Sequence, residues 1–272
     1  MTLALAVAND KEPNPQGDLN MRSLKIACVL FALTSPLAGA AMAQPTPDAS
    51  APAPARSPDN VKLDESRKPK EVLQFLGLQP GMNVIDLFGA NKYWAEIIGP
   101  AVGPKGHVTV WEASQFYDDN AKKSFAEFTA KNPNVSIVST PFEALTLPKN
   151  SADFVMLNLN YHDVYWISEK YKVPKMDPNV FLKAVYDSMK PGAVIGVIDH
   201  VANPNADARA TVDKLHRIDP NVLKADFERA GFKLVGTSDI LRNPADDHTL
   251  SVFDPKVKGK TDRVIFKFQK PA

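Results

Sequence analysis

The chain has 272 residues, 44% hydrophobic and 23% charged, which excludes a collagen-like, coiled-coil or wholly disordered protein. With 32 Lys+Arg against 31 Asp+Glu the net charge is +1, so no basic excess points to nucleic acid. A single cysteine excludes a disulfide framework and a cysteine-built zinc site, and proline, at 23 residues, is the compositional outlier.

Residues 21–43 read MRSLKIACVLFALTSPLAGAAMA. Arg22 and Lys25 form a basic start, 26–33 is an apolar run, and Ala41-Met42-Ala43 has the small-x-small pattern of a cleavage site. This predicts a secretory signal peptide, cleaved after Ala43, behind an upstream extension of residues 1–20, with Met21 the expected translation start. The apolar run falls short of the roughly 20 residues a spanning helix needs, so no stable membrane insertion is expected after cleavage. Cys28 lies inside the signal, and a thiol-free mature chain suits a periplasmic or secreted location. Residues 44–60 (QPTPDASAPAPARSPDN) have nothing to bury and read as a Pro/Ala-rich disordered linker. The folded domain is expected over 61–272.

From there strands and helices alternate. A helix is predicted over 69–77, with Pro early and Gly at its end. Then come a strand at 84–88, a helix over 93–102, a strand at 107–111, a helix over 115–131 and strands at 135–139 and 153–159. A helix over 178–189 and a turn at Lys190-Pro191-Gly192 lead into a strand at 193–199. Continuous apolar strand runs alternating with helices predict a parallel sheet covered on both faces. Towards the end, a helix over 219–230 precedes strands at 232–235 and 264–268, separated by a loop over 241–262, which predicts an antiparallel pair at one edge.

In open α/β sheets ligands bind beyond the carboxyl ends of the strands. The residues there are Gly89, Ala90 and Asn91 after Asp86 in the first strand, Glu112 after the second, Asn158, Asn160, Tyr161, His162 and Asp163 after the fourth, and Asp199 and His200 after the fifth. A carboxylate at Glu112 can accept bonds from both hydroxyls of a ribose.

The run Leu78-x-Pro-Gly-Met-x-Val-Ile-Asp-Leu, then Tyr93-Trp94, Gly103-Pro-Lys-Gly106 and Met189-Lys190-Pro191-Gly192, resembles class I S-adenosylmethionine (SAM) dependent methyltransferases. Asn160-Tyr161-His162-Asp163, Asp199-His200, Leu215 to Asp219 and Arg242 to His248 resemble a secreted bacterial branch of that family. The resemblance implies a Rossmann-like α/β fold with a seven-stranded, mostly parallel sheet ending in an antiparallel edge hairpin. It implies SAM as cofactor and a small-molecule substrate. Asp86, Gly89, Ala90, Asn91, Glu112 and Asn158 would hold the cofactor. Asn160, Tyr161, Asp199, Arg217, Arg242 and His248 would face the substrate. His162, Asp163, His200 and His216 would be catalytic, with His162 or His200 as base. The chain departs from the family at the three glycines of the first loop, which are Phe88, Ala90 and Lys92 here. Lys92 would then pair with the methionine carboxylate or fill the cofactor space.

The cluster His162, Asp163, Asp199, His200, His216 and His248 admits three readings. It is a substrate pocket with a general base, a metal site, or a set of structural partners and helix caps, with Asp163 and Asp219 as caps. No two of these histidines have a local ligand spacing, so no metal ligand is expected. Besides methyl transfer, two functions stay open: an exported binding protein that kept the fold and lost SAM, and a metal-assisted hydrolase. The segment 161–177, with Tyr161, Tyr165, Trp166 and Tyr171, is long enough for a lid or substrate loop.

Overall fold

The computed structural model describes residues 56–205 and 207–272. The expected signal segment and most of the expected linker lie outside the described residues. The folded body reaches back to Arg56, five residues before the expected start, because Arg56 is buried in ion pairs with Asp64 and Glu96.

Two short helices, α1 (Pro58–Val61) and α2 (Asp64–Arg67), lead into α3 (Pro69–Leu76). Pro69 opens α3, Gly77 closes it in the left-handed conformation, and Val72, Leu73 and Leu76 form its buried stripe. The central units are β1 (Asn83–Leu87), α4 (Ala95–Val102), β2 (His107–Ala113), α5 (Asp119–Thr129), β3 (Val135–Thr140), β4 (Ala152–Asn158), α6 (Pro178–Ser188) and β5 (Met189–His200). They are followed by α7 (Ala208–Leu215), α8 (Pro220–Arg229), β6 (Lys233–Ser238) and β7 (Arg263–Gln269). Asp118, Asp177, Asp207 and Asp219 cap α5, α6, α7 and α8 by accepting a backbone N–H. Asp219 is therefore the cap that the sequence predicts, and Asp163 is not one.

The seven strands lie in the order β3-β2-β1-β4-β5-β7-β6. β7 runs antiparallel to both of its neighbours, and the other pairings are parallel. Successive strand residues point into two separate cores. Ile85, Trp111, Val155 and Val197 pack with α6 and α8, whereas Val84, Val110, Met156 and Ile198 pack with α3, α4 and α5. Burial on both faces is why these strands read as unbroken apolar runs. Strand order reverses between β1 and β4, and the chain crosses there to the other half of the sheet.

The differences from expectation are local. β5 starts at Met189, which pairs with Ala152; the expected turn at Lys190-Pro191-Gly192 is a bulge before Val194 pairs with Phe154, with Gly192 at φ +80°. α4 starts at Ala95 rather than Tyr93, and α5 is shorter at both ends than the predicted 115–131. α7 is not expected from the sequence, because it is only 8 residues long and carries few large apolar side chains, burying only Thr211 and Val212.

Candidate functional site

A cleft of about 510 Å³ opens beyond the carboxyl ends of β1, β2, β4 and β5, beside the strand-order switch. Its size is ordinary for a small-molecule site. One wall carries Phe88, Asn91 and Glu112; the facing wall carries Asn160, His162, Asp163, His200 and His216. Trp166, Tyr171 and Phe253 form an aromatic rim.

Three non-glycine residues on this cleft have left-handed backbone: Phe88 (φ +57°), Leu159 (φ +61°) and His216 (φ +50°). Each such residue costs on the order of 1–3 kcal/mol and persists only where the surroundings enforce it. Phe88 stands at a glycine position of the loop and still takes the turn that glycine serves. Its ring makes an edge contact with Trp111 (4.9 Å) and stacks on Phe181 (6.2 Å). Aromatic burial thus offsets the strain and leaves the ring on the cleft floor. Gly89 is required by close approach, since a Cβ there would lie 2.4 Å from Asp86 Oδ2.

Glu112 is buried at the end of β2, and each carboxylate oxygen accepts one backbone N–H, from Ala90 and from Ala113, both at 3.1 Å. Each oxygen keeps accepting capacity for a ligand hydroxyl. Burial pushes its pKa up to about 7 against those two bonds. Asp86 is fully buried, its Oδ2 has no hydrogen-bond partner, and burial together with Glu112 lifts it to about 8. Lys92 does not fill the cleft. Its Nζ donates to Ser124 Oγ, outside the cleft. Glu143, which follows β3, accepts from Gln115 Nε2, and the Gln115 Oε1 accepts the Phe142 N–H.

On the opposite wall, Asp199 is fully buried and accepts both from the His162 backbone N–H (2.8 Å) and from His162 Nδ1 (2.7 Å). That pairing turns His162 Nε2 to the cleft. Asp163 is held by Asn160 Nδ2 at 2.9 Å through Oδ2; Oδ1 lies 3.5 Å from His162 Nε2 and 3.8 Å from His216 Nδ1. Burial pulls the His162 pKa down, but the Asp199 and Asp163 carboxylates more than offset it and hold the imidazole at about 9. Burial pushes His200, bonded to Thr261, down to about 3. Burial and the His162 charge also lower His216. The Asp199 carboxylate thus favours the charged form of His162, whereas burial disfavours that of His200.

The sequence-predicted residues divide sharply. Glu112, Asn91, Asn160, His162, Asp163, His200 and His216 meet on the cleft. Gly89, Ala90, Asp86 and Asp199 support them from behind. Asn158 closes β4 without lining the cleft. Four expected substrate residues are elsewhere. Tyr161 is fully buried and donates to Asp226. Arg217 is fully buried in a fork with Asp246. Arg242 and His248 both bond Asp262. Phe116, Leu159, Val252 and Phe253 line the cleft without having been expected. Phe116 follows β2 closely and could have been read from that position. The Val252-Phe253 pair is the one run of two large apolar residues in its polar loop.

No protein-family profile matches the chain. Among curated proteins it is similar to the demethylmenaquinone methyltransferases of Listeria monocytogenes and Listeria welshimeri, 26% identical over 136 residues, or 50% of this chain and 52% of theirs. The chain thus spans about half the length of those relatives. Among solved structures it is similar to a SAM-dependent methyltransferase from Aquifex aeolicus, at TM-score 0.54 and 18% identity over 78% of this chain and 98% of that one. It is similar to the [4+2]-cyclase SpnF at TM-score 0.54 and 16% identity, covering 76% of this chain and 81% of that one. The chain therefore has the fold of class I SAM-dependent methyltransferases.

Proposed function

We propose that the protein is a SAM-dependent methyltransferase acting on a small planar molecule. The observation that carries this reading is Glu112, a buried carboxylate at the end of β2 with unspent acceptor capacity on the cleft beside the strand-order switch. The residues fit the cofactor at its ribose end. The first loop keeps a left-handed turn despite Phe88, and Gly89 keeps the backbone close to Asp86. Bound SAM would supply an electrophilic methyl group. The chain's part is to hold the acceptor in line with that group, which is worth several orders of magnitude in rate. The aromatic rim would orient a flat substrate, and the histidine wall would bind its oxygen or nitrogen. We also propose export, with the mature chain starting at Gln44. Among the described residues no helix is long and apolar enough to cross a membrane.

Titrating the full chain with SAM and S-adenosylhomocysteine tests this. Micromolar binding is expected. Glu112→Ala should weaken it about 10- to 100-fold, the worth of hydrogen bonds to a charged group of about 1.5–3 kcal/mol. Absence of binding at millimolar ligand would overturn the reading. Phe88 in place of glycine favours one alternative, a binding protein that keeps the fold without SAM, and that same negative result would support it.

A further inference from the structure

We infer that His162, Asp163 and His216 form a binding site for one divalent first-row transition-metal ion, with its open positions facing the cleft. One atom from each of the three residues lies within 4.8 Å of the others. The Asp163 oxygen stands 3.5 Å from His162 Nε2 and 3.8 Å from His216 Nδ1. Donor atoms around a zinc-sized ion at about 2.0–2.2 Å are themselves roughly 3–3.5 Å apart, so a small contraction closes the set.

Each donor is held by a second partner. Asp199 binds His162 at Nδ1 and leaves Nε2 for the ion, the carboxylate–histidine pairing that accompanies ligating imidazoles. Asn160 binds Asp163 Oδ2 and leaves Oδ1. The His216 ring is clamped between Trp166 (5.2 Å) and Phe253 (4.9 Å), and among the described residues it makes no hydrogen bond. His216 also closes α7 in the left-handed conformation, a place where glycine is the unstrained choice. The strained backbone thus holds an imidazole, packed by two aromatic rings, on the cleft with its Nδ1 3.8 Å from Asp163.

Two imidazoles and one carboxylate favour zinc, iron, cobalt or manganese over magnesium or calcium. Three protein donors leave positions open, and those positions face the aromatic rim. They would take an oxygen of the small molecule held there. The site stands on these residues alone and does not depend on SAM binding at the opposite wall.

The test uses the full chain, purified without a polyhistidine tag, stripped with chelator and titrated with zinc(II) and cobalt(II). One ion per chain is expected, with cobalt(II) giving ligand-field bands in the visible. A large excess of magnesium or calcium should not displace it. Asp163→Asn and His216→Gly should each weaken binding by more than about 100-fold, beyond the roughly 10- to 100-fold expected for the outer partner Asp199→Asn. His216→Gly relieves the backbone strain while it removes a ring packed on Trp166 and Phe253, so urea unfolding of the metal-free variant, which should remain cooperative, separates lost ligation from lost structure. Binding by His216→Gly at wild-type strength, equal competition by magnesium, or no stoichiometric uptake by the wild type would each overturn the site. A parallel SAM titration reads the methyltransferase proposal separately, because either result can fail while the other holds.

Discussion

Two polar clusters occupy the same end of the sheet, and both draw histidines and aspartates from its loops. In the hub around Asp246 and Asp262, each of the two carboxylates is engaged by several donors. Arg217 forks onto Asp246 and also donates to the Leu250 and Val201 carbonyls. Asp262 accepts from Arg242, Asn243 and His248. In the cleft, capacity is left over: Glu112, held by two backbone N–H groups, keeps accepting capacity on each oxygen, His162, held by Asp199, keeps Nε2, and Asp163, held by Asn160, keeps Oδ1. The cleft also has three strained left-handed residues on its walls. Residue type and a loop position at this end of the sheet therefore do not distinguish a site from a brace. What distinguishes them is whether polar capacity is left over.

The largest effect should come from the hub. Arg217→Met strands a buried Asp246 and should cost about 3–5 kcal/mol in urea unfolding, as expected when one partner of a buried pair is removed. The folded fraction should keep its zinc and SAM affinities. A loss of stability below about 1 kcal/mol would show that the hub is not a brace.

Phe88→Gly sharpens the cleft side. Removing the ring costs about 3–5 kcal/mol, and releasing the left-handed strain returns about 1–3 kcal/mol. Net destabilisation of about 2 kcal/mol is expected, with SAM affinity equal or higher. Weaker SAM binding would mean that the Phe88 ring itself contacts the ligand.

The pH dependence follows from the cleft. Asp86, Glu112 and His162 all have folded pKa values above their ordinary ones, at about 8, 7 and 9. A group raised on folding contributes stability below its unfolded pKa and loses it as pH rises through the folded value. His200, lowered to about 3, acts the other way only below its ordinary value near 6.5. Metal-free protein should therefore lose stability from pH 6.5 to pH 9, and Asp86→Asn should flatten the decline. A midpoint in urea that rises over that window would contradict the assignment.

The smallest effect belongs to Lys92→Ala. Its Nζ meets Ser124 at the surface, so stability should change by less than about 0.5 kcal/mol. SAM affinity should also stay put, whereas a Lys92 that pairs with the methionine carboxylate would lose it.

Much of this was legible in the sequence. Strands buried on both faces announce themselves as apolar runs, and Pro69, Gly77 and the capping Asp219 mark helix ends directly. The cleft wall was legible through topology, because Glu112, His162 and His200 follow strands whose order could be anticipated. Long-range pairing was not. Nothing local in Arg217 says that it meets Asp246, 29 residues on, and nothing in His248 says that it turns to Asp262. His216 reaches Asp163 only through α7, a short helix with few large apolar side chains to announce it. Backbone strain at Phe88 and Leu159 is equally invisible, because it is imposed by packing from distant elements.

The most direct measurement compares S-adenosylhomocysteine binding to Glu112→Ala and His248→Ala, each corrected for its folded fraction. The account predicts a loss of about 10- to 100-fold for Glu112→Ala and wild-type affinity for His248→Ala. Wild-type affinity in Glu112→Ala, or an equal loss in His248→Ala, would contradict the division between site and brace.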